Sequence, residues 1–159
     1  MRAADVVKVL RLASERLADL FGDEFVGLVL FGSRARGEAG DYSDVDVLVV
    51  FRSLGGFDVR GRVYGVIAEC VRMPITLVDV RLDEIASEDF ELTPLMLNIL
   101  YDGVIVWDRD GLLRDFFERG RKLIEKANLI RYRTRDGKYG WMRADGKPIA
   151  HYKIVLESE

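Results

Sequence analysis

The 159-residue chain is 49% hydrophobic and 32% charged, a balance that fits about one folded domain with room for a small appendage and excludes disorder. No apolar run approaches the roughly 20 residues needed to span a bilayer, so a cytoplasmic location is expected by default. The net charge of −3 is unevenly spread: residues 114–153 hold twelve Lys or Arg against five Asp or Glu, a basic C-terminal third suited to a partner protein or to nucleic acid.

Residues 3–21 space Val6, Val9, Leu10, Ala13, Leu17, Leu20 and Phe21 by threes and fours, the pattern of an amphipathic helix stopped by Gly22. Asp5 and Glu15 inside that pattern argue against a signal peptide. "VGLVLF" (26–31) and "DVDVLVVF" (44–51) read as buried strands. Residues 57–71 read as a helix carrying Val59, Val63, Val66, Ile67 and Cys70 inward, although Gly61 and Gly65 each cost about 1 kcal/mol relative to Ala. The lone Cys70 has no internal disulfide partner and reads as a small buried hydrophobe.

"PITLVDV" (74–80) is a third strand opened by Pro74. Two short helices follow, "LDEIAS" and "TPLMLNILYDG", then a fourth strand over 104–108 and a charged helix over 110–127. Trp107, Phe116 and Phe117 fit packing better than any cofactor site. From residue 128 the texture changes: two Asp-Gly turn signals separate aromatic-rich alternating stretches, the pattern of a small β-meander, with a mobile arm as the alternative. The expected division is a domain over 1–127 and a basic meander or arm over 128–159. His151, the only histidine, reads as a surface or strand-pairing residue. No Cys/His cluster exists for a structural zinc.

The chemistry concentrates in "FGSRARGEAGDYSDVDVLVV", residues 31–50. A strand ending at Phe31 and turning at Gly32 can take a backbone conformation closed to other residues. Backbone amides near Gly32 and Ser33 can then face outward, joined by the Ser33 hydroxyl; if a helical turn begins here, its first amides suit an anion. Arg34 and Arg36 follow, with guanidinium groups that match phosphate oxygens. On a strand, Asp44 and Asp46 point to one face about 6.6 Å apart, while Val45 and Val47 turn to the other. Two carboxylates so held repel each other and suit Mg²⁺, a hard cation that shares its shell with water and substrate phosphates. Asp41 and Glu38 in the spacer read as solvated turn residues. Tyr42 is either a base-stacking ring or a packed loop aromatic.

Gly32-Ser33, ten residues, then Asp44-Val45-Asp46 resembles the nucleotidyltransferase (DNA polymerase β-like) superfamily. "GSRARGEAGDYSDVDVLV" is similar to the wording of its minimal, MntA-type antitoxin members, Ser43 before the first Asp included. The resemblance covers residues 1 to about 110. It implies an α+β nucleotidyltransferase fold with a mixed β-sheet flanked by helices, Mg²⁺ on Asp44 and Asp46, and a triphosphate on Gly32, Ser33, Arg34, Arg36 and Ser43. A third carboxylate from a neighbouring strand is also implied, and Asp79 is the only acid in "PITLVDV". If the position falls on Thr76 instead, that ligand is missing; the two residues have opposite strand parity, so only one can face the site. Asp79 is the favoured assignment. The implied reaction is transfer of AMP from ATP, and the implied partner a HEPN-domain (higher eukaryotes and prokaryotes nucleotide-binding) toxin modified on a tyrosine, in a homo- or hetero-oligomer. A small molecule or an RNA end is the other acceptor class, RNA drawing on the basic segment with Tyr132, Tyr139, Trp141 and Tyr152 as stacking surfaces. A nucleotide-binding module without turnover is the third reading.

Overall fold

A computed structural model describes residues 2–87, 90–147 and 149. Helix α1 (Ala3–Phe21) leads through a short turn into β1 (Phe25–Phe31), and a five-residue helix, α2 (Gly32–Arg36), follows directly. After the spacer come β2 (Val45–Phe51), α3 (Phe57–Val71) and β3 (Ile75–Arg81). The chain then forms α4 (Leu82–Ile85), α5 (Pro94–Asp102), β4 (Val104–Asp108), α6 (Leu112–Lys126) and a hairpin of β5 (Leu129–Arg133) and β6 (Tyr139–Arg143).

The main sheet runs β3-β2-β1-β4, with β1 antiparallel to both β2 and β4 and β2 parallel to β3. The parallel step needs a crossover, which α3 supplies. Strands β1 and β2 are buried almost throughout because helices cover both faces. On one face, α1 and α3 pack Leu10, Leu17, Val63 and Ile67 against Leu28, Leu30, Val47 and Val49. On the other, α5 and α6 pack Leu97, Leu100, Phe116 and Phe117 against Val29, Phe31, Leu48 and Val50. Trp107 stacks on Phe25 with ring centroids 4.9 Å apart, as the packing role expected for it requires. No helix among the described residues is long and apolar enough to cross a membrane.

The C-terminal hairpin is seated on the body rather than held out as an arm. Its buried Trp141 donates from Nε1 to Asn98 Oδ1 on α5 at 2.9 Å and meets Tyr101 edge-on at 5.6 Å. Two strands are present; the third stretch expected in the meander, with His151 and Tyr152, lies outside the described residues except for Ile149. Several basic side chains of the C-terminal third have internal partners. Arg119 pairs with Asp115, Arg143 with Asp145, and Arg121 donates to the Leu100 and Gly103 carbonyls.

Candidate active site

The site sits where β1 ends beside β2. Antiparallel register puts Phe31 opposite Asp46, so the bend after Phe31 faces the second aspartate. Gly32 takes φ +75°, and a Cβ added there would overlap the Asp46 carboxylate. Only glycine meets both demands. The bend runs into α2, which closes at Gly37 in the left-handed conformation, with the Glu38 amide donating to the Ser33 carbonyl at 2.9 Å.

The ten-residue spacer is folded back by its own side chains. Buried Arg34 donates through Nε and Nη2 to the Ser43 carbonyl at 3.2 and 2.8 Å. The Gly40 amide donates to Ser43 Oγ at 3.0 Å. These bonds fix the residue just before Asp44, so Arg34 and Ser43 set where the first carboxylate stands. Arg36 is held too: its Nε donates to Glu38 Oε2 at 3.1 Å and its Nη1 to Asp102 Oδ2 at 3.1 Å. Arg34, Arg36 and Ser43, expected to grip phosphate, thus also make bonds within the protein that shape the loop. Glu38, read as a solvated turn residue, in fact joins Arg36 to the Tyr139 hydroxyl, and the Arg36 bond holds its carboxyl below the usual range. Tyr42 is not packed; its side chain stands 98% exposed.

Asp44 and Asp46 come together as expected, but the third position is corrected. In the parallel register Asp46 lies beside Thr76, whereas Asp79 lies beside Val49. Thr76 Oγ1 donates to Asp44 Oδ2 at 3.2 Å and is placed to hydrogen-bond Asp46 as well. Asp79 points to the opposite face, where Arg60 of α3 donates to it at 2.5 Å and to the Leu77 carbonyl at 2.7 Å. Strand parity is the physical reason: Val45, Val47 and Val49 are buried against α1 and α3, and Asp79 shares their side. Its exposed ion pair is of a kind worth at most about 1 kcal/mol. Asp79→Asn is accordingly expected to leave Mg-ATP affinity within about twofold of wild type by calorimetry.

Burial pushes the half-buried Asp46 carboxyl above its ordinary value, and the charge of Asp44 adds to the rise; a hydrogen bond from Thr76 and the charges of Arg36 and Arg34 oppose it. A carboxylate desolvated beside another is stabilised by a bound cation. The donor set fits Mg²⁺: two hard carboxylate groups at the start of β2 leave the remaining positions for water and substrate phosphates. No cluster of three or more His, Cys, Asp or Glu that could hold a metal occurs among the described residues.

A mixed sheet that presents a paired-aspartate strand next to a tight glycine bend defines a nucleotidyltransferase. The nucleotidyltransferase domain model matches residues 10–123, and the chain belongs to that family. It is 33% identical over 115 residues to a candidate protein adenylyltransferase of Methanocaldococcus jannaschii, covering 69% of this chain and 77% of the relative. Among solved structures it is similar to a toxin–antitoxin complex with AMP-PNP, at TM-score 0.52 and 16% identity over 73% of this chain and 87% of that one. A mutant MntA–HpeT toxin–antitoxin structure gives the same score and identity over 79% and 89%. The fold is thus that of the MntA-type minimal nucleotidyltransferases.

Proposed function

We propose that the protein transfers AMP from ATP to a tyrosine hydroxyl of a partner protein of the HEPN toxin class, and does so with Mg²⁺. The observation that carries this reading is the pairing of Asp44 with a half-buried, raised-pKa Asp46 against the Gly32 bend. The name of the M. jannaschii relative supports a protein acceptor, and the toxin–antitoxin neighbours support the partner class.

The residues divide the work as follows. The Gly32 bend and Ser33 offer the backbone amides and hydroxyl that receive phosphate oxygens, while Arg34 and Ser43 keep Asp44 in place. Asp44 and Asp46 would hold the metal, which would neutralise charge on the phosphates and make the acceptor hydroxyl more acidic. The acceptor oxygen attacks the α-phosphorus, a new O–P bond forms, the bond to the β-phosphate oxygen breaks, and pyrophosphate departs. The acceptor proton leaves to water at the exposed Asp44 edge of the site. With Thr76 in place of a third carboxylate, no additional base stands ready. That favours a phenol, whose pKa of about 10 lies far below that of water at about 15.7.

Incubation of the protein with α-labelled ATP, Mg²⁺ and the HEPN protein from the same genome tests the reading. Label is expected on one or more tyrosines and is expected to be lost from their Phe variants; ATP binding without any transfer would refute it. Thr76→Asp is expected to raise the rate constant for labelling at least about tenfold, since a positioned base contributes on the order of 10²–10⁴ when fully effective.

A further inference from the structure

Beside the Gly32 bend a cleft of about 440 Å³ opens between three parts of the chain. Gly32 and Arg36 line it from the phosphate loop, Leu95 and Asn98 from α5, and Lys138 and Tyr139 from the turn and second strand of the hairpin. The family match ends at residue 123, so the third wall comes from a segment outside the shared domain.

The hairpin is held in a defined position over the loop. Arg131 of β5 and Arg36 of α2 both donate to Asp102, whose side chain is 8% exposed, at 2.5 and 3.1 Å. The Tyr139 hydroxyl donates to Glu38 Oε1 at 2.9 Å, and the Arg36 guanidinium lies 4.6 Å from the centre of the Tyr139 ring. The Trp141 bond to Asn98 ties the second strand to the same helix. Four contacts therefore connect the hairpin to the elements that frame the cleft.

The cleft is cationic, and no acidic residue lines it among the described residues. Arg36 spends its charge on Glu38 and Asp102. Lys138 does not: its side chain is 82% exposed, and its ammonium is 3.9 Å from Asp136, the outer limit of an ion pair. The backbone of Lys138 closes the turn through Thr134, so its conformation does not depend on the side chain. A solvent-exposed ammonium at the mouth of a cleft that begins at the Gly32 loop suits the outer phosphates of a triphosphate.

We propose that the hairpin turn is the outer wall of the nucleotide site and that Lys138 binds the distal phosphates of the nucleoside triphosphate. This rests on the nucleotidyltransferase reading and extends it to a residue that the shared domain does not contain. The test is calorimetric binding of Mg-ATP and of AMP to the full chain, its Lys138→Ala and Lys138→Arg variants, and a Lys147→Ala control that removes an exposed charge not lining the cleft. Lys138→Ala is expected to weaken Mg-ATP about tenfold while leaving AMP unchanged, with Lys138→Arg recovering most of the affinity and Lys147→Ala matching wild type. Unchanged ATP affinity in Lys138→Ala overturns the proposal alone, as does an equal loss for ATP and AMP or an equal loss in the Lys147 control. Failure of the wild-type chain to bind Mg-ATP at all overturns the nucleotidyltransferase reading with it.

Discussion

Asp46→Asn is expected to lower the rate of nucleotidyl transfer by at least about a thousandfold and at the same time to raise the melting temperature of the metal-free protein. The first effect follows from losing a proposed metal ligand, because a bound cation would supply several kcal/mol of charge stabilisation to the transferring phosphate. The second follows from burial. Asp46 has its carboxyl pushed above the ordinary value in the fold, so its contribution to stability is fully present below the unfolded pKa and is lost as pH rises through the folded pKa. Asparagine carries no such loss. The difference in melting temperature between variant and wild type should therefore widen as pH rises through that window and shrink when Mg²⁺ is added to the wild type. Thermal scans between pH 4 and 8 with and without Mg²⁺ would show it; a variant less stable than wild type at every pH would mean that Asp46 is a structural residue.

Asp102→Ala is expected to cost about 3 kcal/mol of folding stability, the low end of the range for breaking a buried ion pair. Its carboxylate receives both Arg36 and Arg131, whose side chains are only 19% and 14% exposed. Removing it leaves two largely buried guanidinium groups short of a partner. Arg36 retains Glu38 and Arg131 retains the rings of Tyr101 and Tyr139 at 4.3 and 4.2 Å, which is why the low end applies. A fall in Tm of roughly 6–12 °C corresponds to that figure for a chain of this size. Because Asp102 joins the phosphate loop to the hairpin, nucleotide affinity should drop in the same variant although residue 102 stands outside the chemistry. Urea denaturation and calorimetry together check both effects. A loss below about 1 kcal/mol would mean that the hairpin is held mainly by Trp141 and Tyr139.

The frame of the molecule was readable because periodicity and punctuation agree with tertiary burial. Residues 3–21 and 57–71 repeat by threes and fours and form α1 and α3 with those bounds. The Gly-Ser bend and the two aspartates could be placed because a strand's two-residue period puts Asp44 and Asp46 on one face whatever the rest of the fold does. What could not be read is whatever depends on register between distant strands. The choice between Thr76 and Asp79 is settled by how far α3 carries the chain before β3 begins, which no local pattern reports; the valines on both sides of Asp79 made it look like an inward acid, and β3's partly exposed outer face gave no contrast. The internal bonds of Arg34, Arg36 and Ser43 are hidden from the sequence for a related reason. A guanidinium suits a carboxylate or a carbonyl as well as a phosphate, and the competing partner for Arg36, Asp102, lies 66 residues away. One signal was available for the hairpin: alternating aromatics around Asp-Gly turns identified it, although nothing in the chain's pattern placed it against the phosphate loop.

The proposed reaction requires two carboxylates, Asp44 and Asp46, to meet a divalent ion beside Gly32, with Asp79 facing away. Calorimetric titration of ATP into the wild type, Asp46→Asn and Asp79→Asn, each with Mg²⁺ and with EDTA, measures this directly. Mg-dependent binding should be present in the wild type and in Asp79→Asn and absent from Asp46→Asn. Binding that survives in Asp46→Asn, or that disappears in Asp79→Asn, would contradict it.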